Sequence, residues 1–217
     1  MSRTLSQQSR CRSALVAALI CLTSAGCSAD DGSSRGGTSS GGGTSSEADT
    51  RRVSAAGISF EAPEGWEELD AAEVAEGAGE NSTVGEIADS MGVTPDQFEQ
   101  MMASIDLFLF SDEGAQHGFL DNVNVLQIPG RMPNDEQLKL QFLQFGADVR
   151  DVSHQETELG DAAVVVYEAE FSGRAVQGEG IYVDVGDGPV AVTVSAFDRD
   201  TTAEVADQIL DTLAEAS

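Results

Sequence analysis

Few side chains in this sequence have a type and spacing that does chemistry. A cysteine thiolate is both a nucleophile and a metal ligand. The chain has three cysteines, Cys11, Cys21 and Cys27, all near its start. Its two histidines are far apart: His117 sits in Gln116-His117-Gly118, a predicted loop, and His154 follows Ser153. The region 53–217 contains no Gly-x-Ser-x-Gly elbow, so a hydrolase triad has no local signature. His-Glu-x-x-His and EF-hand spacings are missing. Asp198-Arg199-Asp200, and Asp184 with Asp187, offer oxygen ligands near strand ends. Calcium wants about six to eight oxygens. With 38 acids in 217 residues, such pairs are expected by chance. Gly178-Glu179-Gly180 lacks the third glycine and the helix of a dinucleotide fingerprint. No catalytic residue, metal ligand or cofactor is therefore expected.

Cys27 is different, because its surroundings specify a reaction. Arg3, Arg10 and Arg12 precede an apolar run from Ala14 to Leu22. A membrane-spanning helix needs about twenty such residues. A basic start, a short apolar stretch and small residues make a secretory signal. Ser24-Ala25-Gly26 then leads directly into Cys27. This resembles the bacterial lipobox, whose cysteine thiol receives a diacylglyceryl group before the peptide is cut in front of it. That pattern prefers leucine three places before the cysteine; here the place holds Ser24, with Leu22 nearby. The resemblance implies a signal peptide over 1–26, lipidation of Cys27, and a membrane contact through this N-terminal lipid. One fatty chain binds marginally and two anchor stably. The expected location is the outer face of the cytoplasmic membrane, with secretion as the alternative. Losing Cys11 and Cys21 with the signal peptide leaves no internal disulfide.

Residues 27–52 carry Ser, Gly and Thr and no large apolar side chain. Nothing there can bury enough surface to offset ordering, so a disordered linker is expected. About 25 such residues span roughly 25–30 Å end to end. The domain over 53–217 is acidic: the whole chain has 11 bases, a formal charge of −27, and a single lysine, Lys139. A nucleic-acid binder needs a basic stripe to displace counterions, and none exists. The same charge opposes adsorption to anionic lipid.

Alternation and 3.6-residue periodicity divide the domain. Ile58–Glu61 reads as a strand, and Pro63-Glu64-Gly65-Trp66 as a turn. The acidic stretch 67–93 suggests short helices and leaves the local fold there open. Thr94, Pro95 and Gln97 make a helix start with a capping box. Phe98, Met101, Met102 and Ile105 then share a face. Leu107–Phe110 and Val123–Ile128 read as strands. Asn134 with Gln137 opens a helix presenting Leu138, Phe142 and Phe145. A strand follows within 149–157. Three more carry Val165 to Phe171, Ile181 to Val185 and Val190 to Ala196, with Gly186-Asp187-Gly188 as a hairpin turn. Thr201 and Glu204 are expected to cap a last helix burying Ala206, Ile209, Leu210 and Leu213. Short turns between consecutive strands imply an α+β fold: an antiparallel sheet of about six strands with helices packed on it.

Ile58-Ser59-Phe60 with Pro63 and Gly65-Trp66 resembles the opening of PsbP-like domains. The strand Val190–Ala196 and the helix through Ala206–Leu213 resemble their close. Lipobox, linker and domain together are similar in layout to actinobacterial envelope lipoproteins of the LpqN type. That resemblance covers roughly 53–217, and the acidic stretch near 67–93 departs from it. It implies an accessory or binding module of the envelope rather than an enzyme, with a protein partner. Methionine-bearing aromatic surfaces adapt to varied apolar ligands. Phe98, Met101, Met102, Phe108 and Phe110 are accordingly the candidate lining of an apolar groove. A small-ligand or lipid carrier is the second expectation, and an envelope hydrolase the third.

Overall fold

Strands β8 (Arg174–Asp184) and β9 (Pro189–Ala196) form the middle of the domain, and every position of β9 is buried. A strand buried on both faces needs a layer on each side of its sheet, and the chain supplies both. A computed structural model describes residues 51–69, 85, 88, 94–114, 117, 119–171 and 173–216. The expected signal peptide, Cys27 and nearly all of the linker lie outside these residues, as does most of the stretch 70–93.

The other strands are β1 (Arg52–Ala55), β2 (Ile58–Glu61), β3 (Glu67–Glu68), β4 (Leu107–Ser111), β5 (Asp121–Gln127), β6 (Asp148–Thr157), β7 (Gly160–Phe171) and β10 (Ala214–Glu215). Among the described residues the helices with defined ends are α1 (Pro95–Met102), α2 (Asp135–Gln144) and α3 (Arg199–Thr212). Among the described residues the main sheet has seven strands in the order β3-β4-β5-β9-β8-β7-β6, and its pairs are antiparallel. The fold is α+β, as the short turns implied. The Gly186 and Gly188 φ angles of +87° and +133° provide the tight β8–β9 turn.

Two expectations about strands change. Ile58–Glu61 does not join the main sheet. It forms a three-stranded sheet, β1-β2-β10, because the chain returns after α3 and pairs Ala214 with Ser59. Of the stretch 67–93, expected to hold short helices, Gly85 and Ala88 are helical, but its start is not. Glu67 and Glu68 pair with Phe110 and Leu109 as an edge strand.

The small sheet and α3 cover one face of the main sheet. Ile58 and Phe60 meet Ile209 and Leu210 of α3 over Val123, Ile181 and Val192. On the opposite face α1 covers the β4 side and α2 the β7 side, through two separate clusters. Thr94 and Asn134 make the expected capping boxes with Gln97 and Gln137. For α3 the expectation is corrected. Asp198 is the N-cap, its carboxylate accepting from the N–H groups of Asp200 at 2.9 Å and Thr201 at 3.0 Å. The helix therefore starts before Thr201, where a free carboxylate competes best for unpaired N–H groups.

Candidate functional site

At the end of the sheet where β5 begins and β9 passes into α3, seven residues line a hollow of about 350 Å³: Glu113, Gly114, His117, Asp121, Phe197, Asp198 and Thr201. Each arrives for a local reason. Asp121 is the first residue of β5, and Asp198 is the cap of α3. The loop after β4 turns through Gly114, whose carbonyl accepts from His117 N–H at 2.9 Å. A side chain at 114 would collide with Asp121 Oδ1 and come within 2.6 Å of Phe119 O, so the loop closes onto Asp121 only with glycine there. His117 then lies flat on Phe197, ring centroids 4.2 Å apart and 8° from parallel.

The electrostatics of the two central carboxyls diverge. Burial pushes Asp121 above the usual carboxylate range; the Phe197 N–H, donating to Oδ1 at 2.9 Å, opposes this. The nearby Asp198 and Glu113 charges raise it further, and His117 lowers it. Asp198 is held below its ordinary value, first by the Thr201 hydroxyl at 2.7 Å and then by backbone N–H groups. Divergent carboxyls suit acid–base catalysis only beside a reacting group. Here Asp121 Oδ1 and both Asp198 oxygens already accept hydrogen bonds from the fold, and the Thr201 hydroxyl is spent on Asp198. Small-molecule pockets are usually lined mainly by apolar groups. This lining is mostly polar and carries three carboxyls, so it suits a hydrated, positively charged group.

The structure therefore joins His117 to Asp198, which the sequence had left as isolated candidates. Asp121, Glu113 and Phe197 were missed. No local pattern marks them, since 76 residues separate Asp121 from its partner Phe197. His154 lies elsewhere, on β6, between Asp161 at 2.7 Å and Asp135 at 3.1 Å. Asp184 accepts from Gly186 N–H within the hairpin. Among the described residues no group of three or more His, Cys, Asp and Glu is arranged to hold a metal ion.

The five residues expected to line an apolar groove do come together. Phe98, Met101, Met102 and Phe108 are buried and Phe110 is half-buried, packed with Leu69, Ile105 and Phe119. Phe98 meets Phe108 edge-on at 6.2 Å. They sit inside the fold, as one of its cores, rather than along an open surface. Cys27 lies outside the described residues.

Fold and hollow together define an antiparallel α+β domain with a carboxyl-rich recess at one end of its sheet. No family model and no curated protein sequence matches the chain. Among solved structures it is similar to the solution structure of cyanobacterial PsbP (CyanoP) from Synechocystis sp. PCC 6803. That likeness has 12% identity and a TM-score of 0.49, covering 82% of this chain and 98% of that one. It carries over no residue of the hollow and no activity.

Proposed function

We propose that the protein is a non-enzymatic binding module of the cell envelope, held on the outer face of the cytoplasmic membrane by a lipid on Cys27. In this reading the hollow receives a cationic side chain of a protein partner. The observation that carries it is the convergence of Glu113, Asp121 and Asp198 on one recess in a chain of net charge −27. Such a field steers a positive partner toward the recess and repels acidic ones. The signal sequence, the Cys27 motif and the Gly/Ser linker support the tethered location.

Two measurements test it. Cys27→Ala is expected to leave the membrane fraction, or to accumulate as precursor, and to lose labelled palmitate. Persistence of a lipid-labelled, membrane-bound product would sink the anchor. A photo-crosslinker placed at the exposed Asp112, beside the hollow, is expected to give a discrete protein adduct in cells that Glu113→Lys abolishes. An adduct indifferent to that charge reversal, or measured turnover of ester or glycan substrates, overturns the binding reading.

A further inference from the structure

The acidic hollow has a rim and a floor of different kinds. Glu113, His117 and Asp198 are exposed at its rim, and Phe197 and Thr201 are half-buried in its wall. Asp121, only 4% exposed, is the floor. The recess above it, of about 350 Å³, gives an incoming side chain room.

The carboxylate oxygens around this recess are unequally engaged. Asp198 Oδ1 accepts from the N–H groups of Asp200 and Thr201, and Oδ2 from the Thr201 hydroxyl. Asp121 Oδ1 accepts from the Phe197 N–H at 2.9 Å. Asp121 Oδ2 has no donor among the described residues. It is not sealed in either. Among the described residues the Tyr182 hydroxyl is the one side-chain polar atom that is both closed off from solvent and unpaired. Oδ2 therefore opens on the hollow, as an unpaired acceptor on a nearly buried side chain. Native interiors pair nearly all such groups. Burial raises the Asp121 pKa and the Phe197 N–H only partly opposes it, so a cation at Oδ2 offsets a cost the fold leaves standing.

We propose that the hollow takes the primary ammonium of a lysine side chain, held end-on by Asp121 Oδ2, rather than an arginine guanidinium. This rests on the reading of the hollow as a receptor for a cationic side chain, and names the cation. A guanidinium is a planar fork of five N–H donors, strongest against a carboxylate with two open oxygens. Neither Asp121 nor Asp198 presents such a pair. A fork at the floor meets one acceptor there and leaves its other donors desolvated and unpaired, which is costly. An ammonium is a compact point charge on a flexible four-carbon stem. Its head reaches a single deep oxygen, and its stem lies along the wall where His117 is stacked on Phe197. The rim charges of Glu113 and Asp198 favour entry of either cation, so the choice between them falls to the floor.

The Phe197 amide is the reporter, because its N–H bonds the same carboxylate. The probes are Nα-acetyl-lysine amide, Nα-acetyl-arginine amide and the neutral Nα,Nε-diacetyl-lysine amide, added to the isotope-labelled full-length protein. The lysine probe is expected to shift the Phe197 amide resonance and leave those of β6, at the far edge of the sheet, in place. It should bind about 3–10-fold more tightly than the arginine probe, a difference of roughly one hydrogen bond. The neutral probe should give no shift. Asp121→Asn, which keeps an oxygen for the Phe197 N–H, should weaken the lysine probe about tenfold or more, the worth of a hydrogen bond to a charged group. The ranking of probes is read on the unaltered protein, so it decides the matter even if the variant fails to fold. Arginine binding as tightly as lysine overturns the proposal and leaves the cationic-partner reading standing. A Phe197 amide silent toward both charged probes overturns the two together. Shifts spread equally over β6, or an equal response to the neutral probe, overturn the site at Asp121.

Discussion

The Tyr167 ring occupies the place where a β-carbon on Gly178 would stand. The contact involves ring carbon and hydroxyl together, and Phe142 presses on the same ring from α2. Gly178→Ala should therefore force a buried ring off its rotamer, at a typical overpacking penalty of about 1–3 kcal/mol. Gly180→Ala should be milder, because its nearest neighbours stand at 3.0 and 3.2 Å. Urea unfolding of the two variants gives the order directly. A Gly178→Ala protein as stable as the Gly180→Ala protein would contradict this packing.

Glu179 projects from β8 beside α3, where burial first, and then the Asp207 charge, push its pKa up to about 7 against a partial pull from Arg199. The folded carboxyl thus keeps its proton at pH values where the unfolded one, near 4.5, has lost it. Folded protein binds more protons in that window, so stability declines as pH rises from about 4.5 to 7. Glu179→Gln removes this decline. The variant should melt higher than the unaltered protein at pH 8, with the advantage shrinking toward pH 5. A pH-independent difference in melting temperature would show that Glu179 does not titrate in this way.

The elements were legible where burial imposes a period. Val190, Val192 and Val194 lie toward the α3 layer, and Leu138 and Phe142 make one stripe of α2, as their spacing required, while Phe145, expected beside them, is the half-buried C-cap. Edges were not legible. The two-residue strands β3 and β10 carry too few side chains for any alternation, and only pairing with Phe110 or Ser59 defines them. Ile58–Phe60 was recognisable as a strand but not assignable to a sheet, because all three positions are buried in a layer the sequence could not specify. For the hollow, His117 and Asp198 were visible as residue types. Their meeting depends on Gly114 turning a loop onto Asp121, a contact between distant segments with no local pattern. The role of Gly178 and Gly180 was concealed for the opposite reason: they looked like a failed motif, and the room they leave for the Tyr167 and Tyr182 rings appears only when the neighbouring strand is in register.

His154 on β6 fastens the start of α2 to the β6–β7 hairpin through Asp135 and Asp161. The hydrogen bond to Asp135, and then the one to Asp161, raise its pKa above 6.5. A cationic histidine bound to two carboxylates stabilises the fold fully below 6.5, and the effect fades as pH rises through the raised value. His154→Gln should lower the melting temperature at pH 6 and have little effect at pH 9. The site is exposed, so added salt should shrink the pH 6 difference. A difference that grows with pH would reverse the assignment.

The cap of α3 separates two roles of one carboxylate. Asp198 accepts from the N–H groups of Asp200 and Thr201 and from the Thr201 hydroxyl, while also lining the hollow. Asp198→Ala removes the cap and should destabilise the protein by about 0.5–2 kcal/mol. Asparagine caps nearly as well as aspartate. Asp198→Asn should therefore keep most of the stability while losing the charge at the recess. Because the folded pKa of Asp198 is depressed, its charge contributes stability above about 3.8, lost as pH falls through the lower folded value. The Asn variant should accordingly show a shallower acid limb in a pH titration of unfolding. At neutral pH it should be close to the unaltered protein in stability and weaker in capturing the partner at the Asp112 crosslinker. If Asn and Ala destabilise equally, the carboxylate charge rather than the cap geometry holds the helix start, and the two roles cannot be separated at this residue.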